Sequence, residues 1–264
     1  MVGLCLGIGL TNVSAADLII AASPSMAVPL EAVARAYEAA HPETHVKLYY
    51  DRALDLRRTI AAIENDGRHF LGSGEVSLVA PGGDELISRL EQKYYVVPGT
   101  RRPYVEVPLV LVVPESLVEA PTSFEALARS QTMRIAVGDP QLTTLGQQTK
   151  ELLTALGIWP DVESRLDRAT DTRAVLDHVL SGQADVGILF GPDAAQESQR
   201  IRVVAVSERG AVRPIVHSIA MERFCPDRVR CAEFLEFVQS QEAQAVLARL
   251  GYRTPQGNPD SDKR

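Results

Sequence analysis

The chain has 264 residues, 45% of them hydrophobic and 23% charged. That length allows one large domain or two of about 100–150 residues, and the composition excludes a largely disordered chain. A net charge of −7, with Lys and Arg scattered, excludes the basic face of a nucleic-acid binder but not an anion site, since a small buried anion answers to local dipoles more than to surface charge beyond about 10 Å.

Residues 1–16 read as an export signal. An apolar run over 4–10 is followed by the small residues Val13, Ser14, Ala15 and Ala16, although the usual basic start is missing. The other reading of this run is an apolar first strand. No other stretch approaches the ~18 apolar residues of a membrane span. Residues 17–22 (DLIIAA) form a buried-type strand, and Ser23-Pro24 opens a helix over 26–40 that His41-Pro42 ends. A strand over 46–50, a helix over 54–65, a strand over 75–80 and a helix over 84–92 follow. Such alternation implies βαβ units and a parallel sheet. Residues 107–113 (VPLVLVV) read as one continuous strand. Beyond it come a short helix over 122–130, a strand over 133–137, a helix over 145–156 and an amphipathic piece over 159–166. A helix from Asp171 then precedes a strand over 184–190 that Gly191-Pro192 stops. Strands over 203–206 and 215–221 and helices over 229–239 and 241–250 complete the chain, with Gly251 as C-cap and a polar tail from 254.

Enzyme motifs are missing. None of the five histidines accompanies a nucleophile elbow; His217 and Ser218 adjoin on a strand, where neighbouring side chains point to opposite faces. No metal-ligand spacing and no phosphate loop is present, so no cofactor and no metal are expected. Cys225 and Cys231 form either a disulfide or two buried thiols, which spacing alone does not decide.

Four strand-to-helix junctions remain: Ser23-Pro24, Asp51-Arg52-Ala53, Thr143-Thr144-Leu145-Gly146 and Asp171-Thr172. Such junctions lie at the carboxyl ends of strands, where α/β ligands bind. Each helix start offers unpaired N–H groups and about half a positive charge, and several together can hold an anion. Ordinary capping explains each residue singly.

The opening 17–23, the Gly138-Asp139-Pro140 turn followed by a helix and Leu156-Gly157-Ile158-Trp159, the pieces 172–176 and 181–188, and the ending through Gly251-Tyr252 together resemble the periplasmic molybdate-binding proteins of ABC transporters. The likeness runs over nearly the whole chain after the signal. It implies an α/β, two-lobed type II periplasmic-binding-protein fold, each lobe a mixed sheet flanked by helices, with two crossing strands as hinge. Lobe 1 is expected over 17–107 and 215–264, and lobe 2 over 108–214. The implied function is an exported, periplasmic, monomeric solute-binding protein that passes an oxyanion of the molybdate or tungstate class to a membrane permease, without catalysis.

The resemblance also implies a ligand site. The family's first serine matches Ser23, its backbone donors fall at Leu145 and Thr172, its second serine falls at Ala53 and its tyrosine at Phe190. The last two positions lack the family's hydroxyls. A hydrogen bond to a charged group is worth ~1.5–3 kcal/mol, so two losses would weaken binding by roughly two to four orders of magnitude. Arg52 stands in the altered turn and suits a carboxylate or phosphate; its other reading is a solvated surface arginine. Two alternatives therefore stand beside the oxyanion: another small anion carrying carboxylate or phosphate, or a secreted interaction protein that transports nothing.

Overall fold

The computed structural model describes residues 16–50, 76–82 and 84–255. The expected signal (apart from Ala16), the helix expected over 54–65, and Arg52 and Ala53 lie outside the described residues.

Two five-stranded mixed sheets, each flanked by helices, organise the chain. The first has the order β2-β1-β3-β10-β4, with β1 Ala16–Ala22, β2 Thr44–Tyr50, β3 Leu78–Ala80, β4 Arg102–Val107 and β10 Ile215–Met221. Strands β1, β2 and β3 are parallel, and β10 runs antiparallel between β3 and β4. The second has the order β7-β6-β8-β5-β9, with β5 Leu109–Pro114, β6 Ile135–Gly138, β7 Leu166–Ala169, β8 Val186–Phe190 and β9 Ile201–Val206. Here β6, β7 and β8 are parallel and β5 opposes β8 and β9.

Period-two alternation sorts the first sheet's side chains. Leu18, Ile20 and Ala22, with Leu78, Ala80, Ile219 and Met221, pack on one face against α1 Ala27–Ala40, α8 Arg228–Phe237 and α9 Gln241–Arg249. Ala21, Val79 and Ala220 pack on the other face with Leu86, Ile87 and Leu90 of α2 Asp84–Gln92. The C-terminal helices thus return to the first sheet. In the second sheet β5 lies between two strands, and all its residues except Pro114 are buried, which is why it reads as a near-unbroken apolar run. Its core includes residues of α4 Thr144–Ala155, α5 Trp159–Val162 and α6 Thr172–Leu180.

Some expectations are corrected. The strand expected over 107–113 is two strands in different sheets, divided at Pro108; proline has no N–H for a ladder, and the chain crosses between sheets there. The amphipathic piece at 159–166 is α5, a 3-10 turn at Glu163–Arg165 and then edge strand β7. The helix expected over 122–130 shrinks to α3 Ala126–Arg129. Gly191-Pro192 stops β8 but also opens α7 Gly191–Gln196, with Pro in its first turn. Cys225 and Cys231 are joined as a disulfide.

The two crossings lie at the same end of both sheets. One is the single residue Pro108 between Val107 and Leu109; the other runs over 207–214 between β9 and β10. Both sheets therefore turn the carboxyl ends of their parallel strands toward the crossings.

Candidate anion site at the carboxyl edges of two sheets

Ser23 follows β1 and is 3% exposed. Pro24 begins the 3-10 turn Pro24–Met26, as the Ser-Pro signal predicts, but the Ser23 side chain makes no cap hydrogen bond. Its backbone N–H donates to Ala80 O at 3.1 Å, tying the ends of β1 and β3. Its hydroxyl instead pairs with Ser25 Oγ at 3.0 Å. Gly82 presses on this pair: a Cβ there would stand 2.7 Å from Ser23 Cβ and 3.1 Å from Ser25 Oγ, and its φ of +75° suits glycine. Ser23 therefore brings a hydroxyl rather than a free N–H.

In the second sheet the loops after β6, β7 and β8 stand at one edge, because these strands are parallel neighbours. Asp139 N–H donates to Ala169 O at 2.8 Å, tying the ends of β6 and β7. Asp139 Oδ1 accepts from Gln141 N–H at 2.7 Å. Thr143 caps α4, its Oγ1 accepting from Gly146 N–H at 2.9 Å. The N–H groups of Thr144 and Leu145 are then left without an acceptor inside the helix. The Leu145 side chain is 2% exposed and belongs to the core, so this residue offers its backbone alone.

Asp171 caps α6, Oδ1 accepting from Ala174 N–H at 2.8 Å. That leaves the N–H groups of Thr172 and Arg173 at the helix start. Phe190 ends β8 opposite Leu109, and its ring packs on the second core. The edge thus holds Leu145, Thr172 and Phe190 together, while Ser23 stands on the corresponding edge of the first sheet.

A cavity of about 200 Å³ lies between the start of α1, α7 and the C-terminal segment, its walls including Ser25, Val28, Asp193, Gln196, Arg249 and Tyr252. Of the expected residues that are described, none lines it, but Ser25 and Pro192, two positions beyond Ser23 and Phe190, do. Burial pushes the Asp193 carboxyl up. The Tyr252 hydroxyl is pushed up to about 12 by burial and then by Asp193. Sequence reasoning did not single out Asp193 or Tyr252 as site residues: they lie far apart in the chain, and Tyr252 enters only through the resemblance of the chain's ending.

Among the described residues no group of three His, Cys, Asp or Glu is placed to hold a metal ion, and no helix is long and apolar enough to cross a membrane.

A model of the bacterial extracellular solute-binding proteins matches residues 18–253. A Bacillus subtilis lipoprotein, provisionally described as the substrate-binding part of an ABC transporter, is 28% identical over 235 residues, covering 89% of this chain and 85% of its own. The molybdate-binding protein of Haemophilus influenzae is 26% identical over 249 residues, covering 93% of each chain. Among solved structures, the substrate-binding domain of a provisionally assigned molybdenum ABC transporter from Clostridium difficile superposes with a TM-score of 0.77. It is 23% identical and covers 91% of this chain and 100% of its own. The match from residue 18 to residue 253 spans both sheets and both crossings, and the chain belongs to the bacterial extracellular solute-binding proteins.

Proposed function

We propose that the chain is the ligand-capturing component of an ABC importer, working as a monomer in the periplasm, and that it binds an oxyanion of the molybdate or tungstate class without chemical change. Residues 17–107 and 215–264 move as one lobe and 108–214 as the other. The anion sits between them, and closure is the signal to the membrane permease.

The observation that carries this reading is what capping leaves over. Thr143 and Asp171 are spent on their own helices, so the backbone donors of Leu145 and Thr172 remain at one edge. Ser23 and Ser25 hold a hydroxyl pair at the corresponding edge of the first sheet. Backbone donors and hydroxyls at helix starts suit a tetrahedral anion without a basic side chain. The likeness to a molybdate-binding relative over 93% of the chain supports the ligand class.

Thermal shift of the mature protein, confirmed by calorimetry, tests it against molybdate, tungstate, sulfate, phosphate and small carboxylates and phosphoesters. A ligand that binds only the folded state adds about 2.7 kcal/mol of stability at a hundredfold over its Kd. A shift with molybdate or tungstate is expected. Silence with both and a shift with an organic anion would reassign the site, with Arg52 the first residue to mutate.

A gain-of-function variant follows. Phe190→Tyr supplies a hydroxyl at the position where the resemblance expects one. It should tighten molybdate roughly tenfold or more, in keeping with ~1.5–3 kcal/mol for a hydrogen bond to a charged group. Unchanged calorimetric affinity would remove Phe190 from the site.

A further inference from the structure

The connection between the two sheets contains more than its two crossings. Glu106, on β4 two residues before the Pro108 crossing, is 9% exposed. Its carboxylate faces two arginines from separate segments. Arg209, within the second crossing, donates from Nη1 to Glu106 Oε2 at 3.0 Å. Arg253, past the last helix, reaches Glu106 Oε1 at 3.5 Å. The backbones of Glu106 and Arg253 also exchange two hydrogen bonds, each of 2.9 Å.

Arg253 reaches the other sheet too. Its Nη2 donates to Ser207 O, and Ser207 is fastened to the start of β5 by Ser207 N–H to Leu109 O at 2.8 Å and Leu109 N–H to Ser207 Oγ at 3.2 Å. Arg209 Nη2 donates to Thr254 O at 2.8 Å. Next to this, Gly251 and Gly191 touch backbone to backbone: a Cβ on either would stand 2.2 Å from the carbonyl oxygen of the other. Gly191 N–H in turn donates to Pro108 O at 2.9 Å. The segment 251–254 therefore grips β4, the 207–209 stretch and the start of α7 at once.

We propose that this C-terminal segment is a third strand of the hinge and that Glu106 is its positioning residue: by holding Arg209 and Arg253 together it sets the resting angle between the lobes and so tunes ligand affinity from outside the ligand site. This rests on the two-lobed reading above. Without the carboxylate the two guanidiniums lose their shared acceptor, and the strap keeps only its backbone bonds to β4 and the guanidinium bonds to the Ser207 and Thr254 carbonyls. Opening is then less restricted, and closing around a ligand costs more conformational entropy.

The test needs no ligand at first. Spin labels on A39C and V118C, exposed positions of α1 and of the loop after β5, in a chain also carrying C5S, report the distance between lobes. Glu106→Gln is expected to broaden and lengthen that distance distribution in the ligand-free protein, and to weaken molybdate about tenfold. A distribution identical to the parent's overturns the proposal, even if the melting temperature falls, since that is what a merely structural ion pair would give. If Glu106→Gln does not fold, Arg253→Lys serves: it keeps the charge but cannot fork to Glu106 and Ser207 together, and should broaden the distribution to a smaller degree. An unbroadened distribution with this variant overturns the proposal equally. Failure of molybdate to bind the parent protein would sink the ligand assignment while leaving the distance readout intact.

Discussion

Gly146→Ala is expected to lower the melting temperature of the ligand-free protein by roughly 6–12 °C and to weaken oxyanion binding at least tenfold. A Cβ at this position would lie 2.3 Å from Gly138 O, 2.4 Å from Asp139 C and 2.5 Å from Asp139 O. All three are backbone atoms at the end of β6 and in the turn after it, so no side chain can rotate out of the way. Overpacking typically costs 1–3 kcal/mol, and a backbone clash belongs at the upper end. At about 2–4 °C per kcal/mol for a chain near this size, the upper end gives the stated range. Relief requires moving the first turn of α4, which carries the Leu145 N–H and the Thr143 cap. Binding and stability should therefore fall together. A variant that melts normally and binds molybdate normally would show that the tight approach of α4 to the Gly138-Asp139 turn is unimportant to the site.

Phe234→Ala carries the other large expectation, a loss of about 3–5 kcal/mol from removing a fully buried aromatic ring. Phe234 is 0% exposed on α8 and meets Tyr37 of α1 edge-on, with ring centroids 4.9 Å apart. Phe237 meets the same Tyr37 at 5.2 Å, and His41 stacks on it at 4.2 Å. The damage should stay on one side of the crossings. Hydrogen exchange is expected to show the amides of β1 and β10 opening faster, while those of β6 and β8 keep their protection. Equal acceleration in both sheets would mean that the lobes unfold as one unit.

The elements that could be read from sequence are those whose pattern and burial agree. Strand β10 has its expected bounds because its apolar residues line a central strand, and Gly251 takes φ +82° just past α9, as a C-terminal glycine should. Strand β4 was not legible. Its residues include Arg102, Pro103 and Glu106, which argue against a strand. Glu106 is buried there only because Arg209 and Arg253 meet it from distant parts of the chain. Strand β7 is a four-residue edge strand, largely half-buried or exposed, and so lacks the alternation that marks a strand.

The candidate site divides the same way. Thr143 and Asp171 cap as their spacing predicts. That Ser23 does not cap, and bonds Ser25 instead, depends on the Ala80 carbonyl and the Gly82 turn arriving from another strand. No local pattern encodes that arrival.

The strand order carries a consequence for the newly made chain. Strand β10 inserts between β3 and β4, so two of the four pairings of the first sheet wait until residue 221 has been delivered. The second sheet is drawn entirely from residues 109–206 and can close earlier. A polypeptide emerging amino end first therefore completes its middle before its beginning. Meanwhile the free side of β3 is an open edge, with unpaired N–H and C=O groups able to accept any extended peptide.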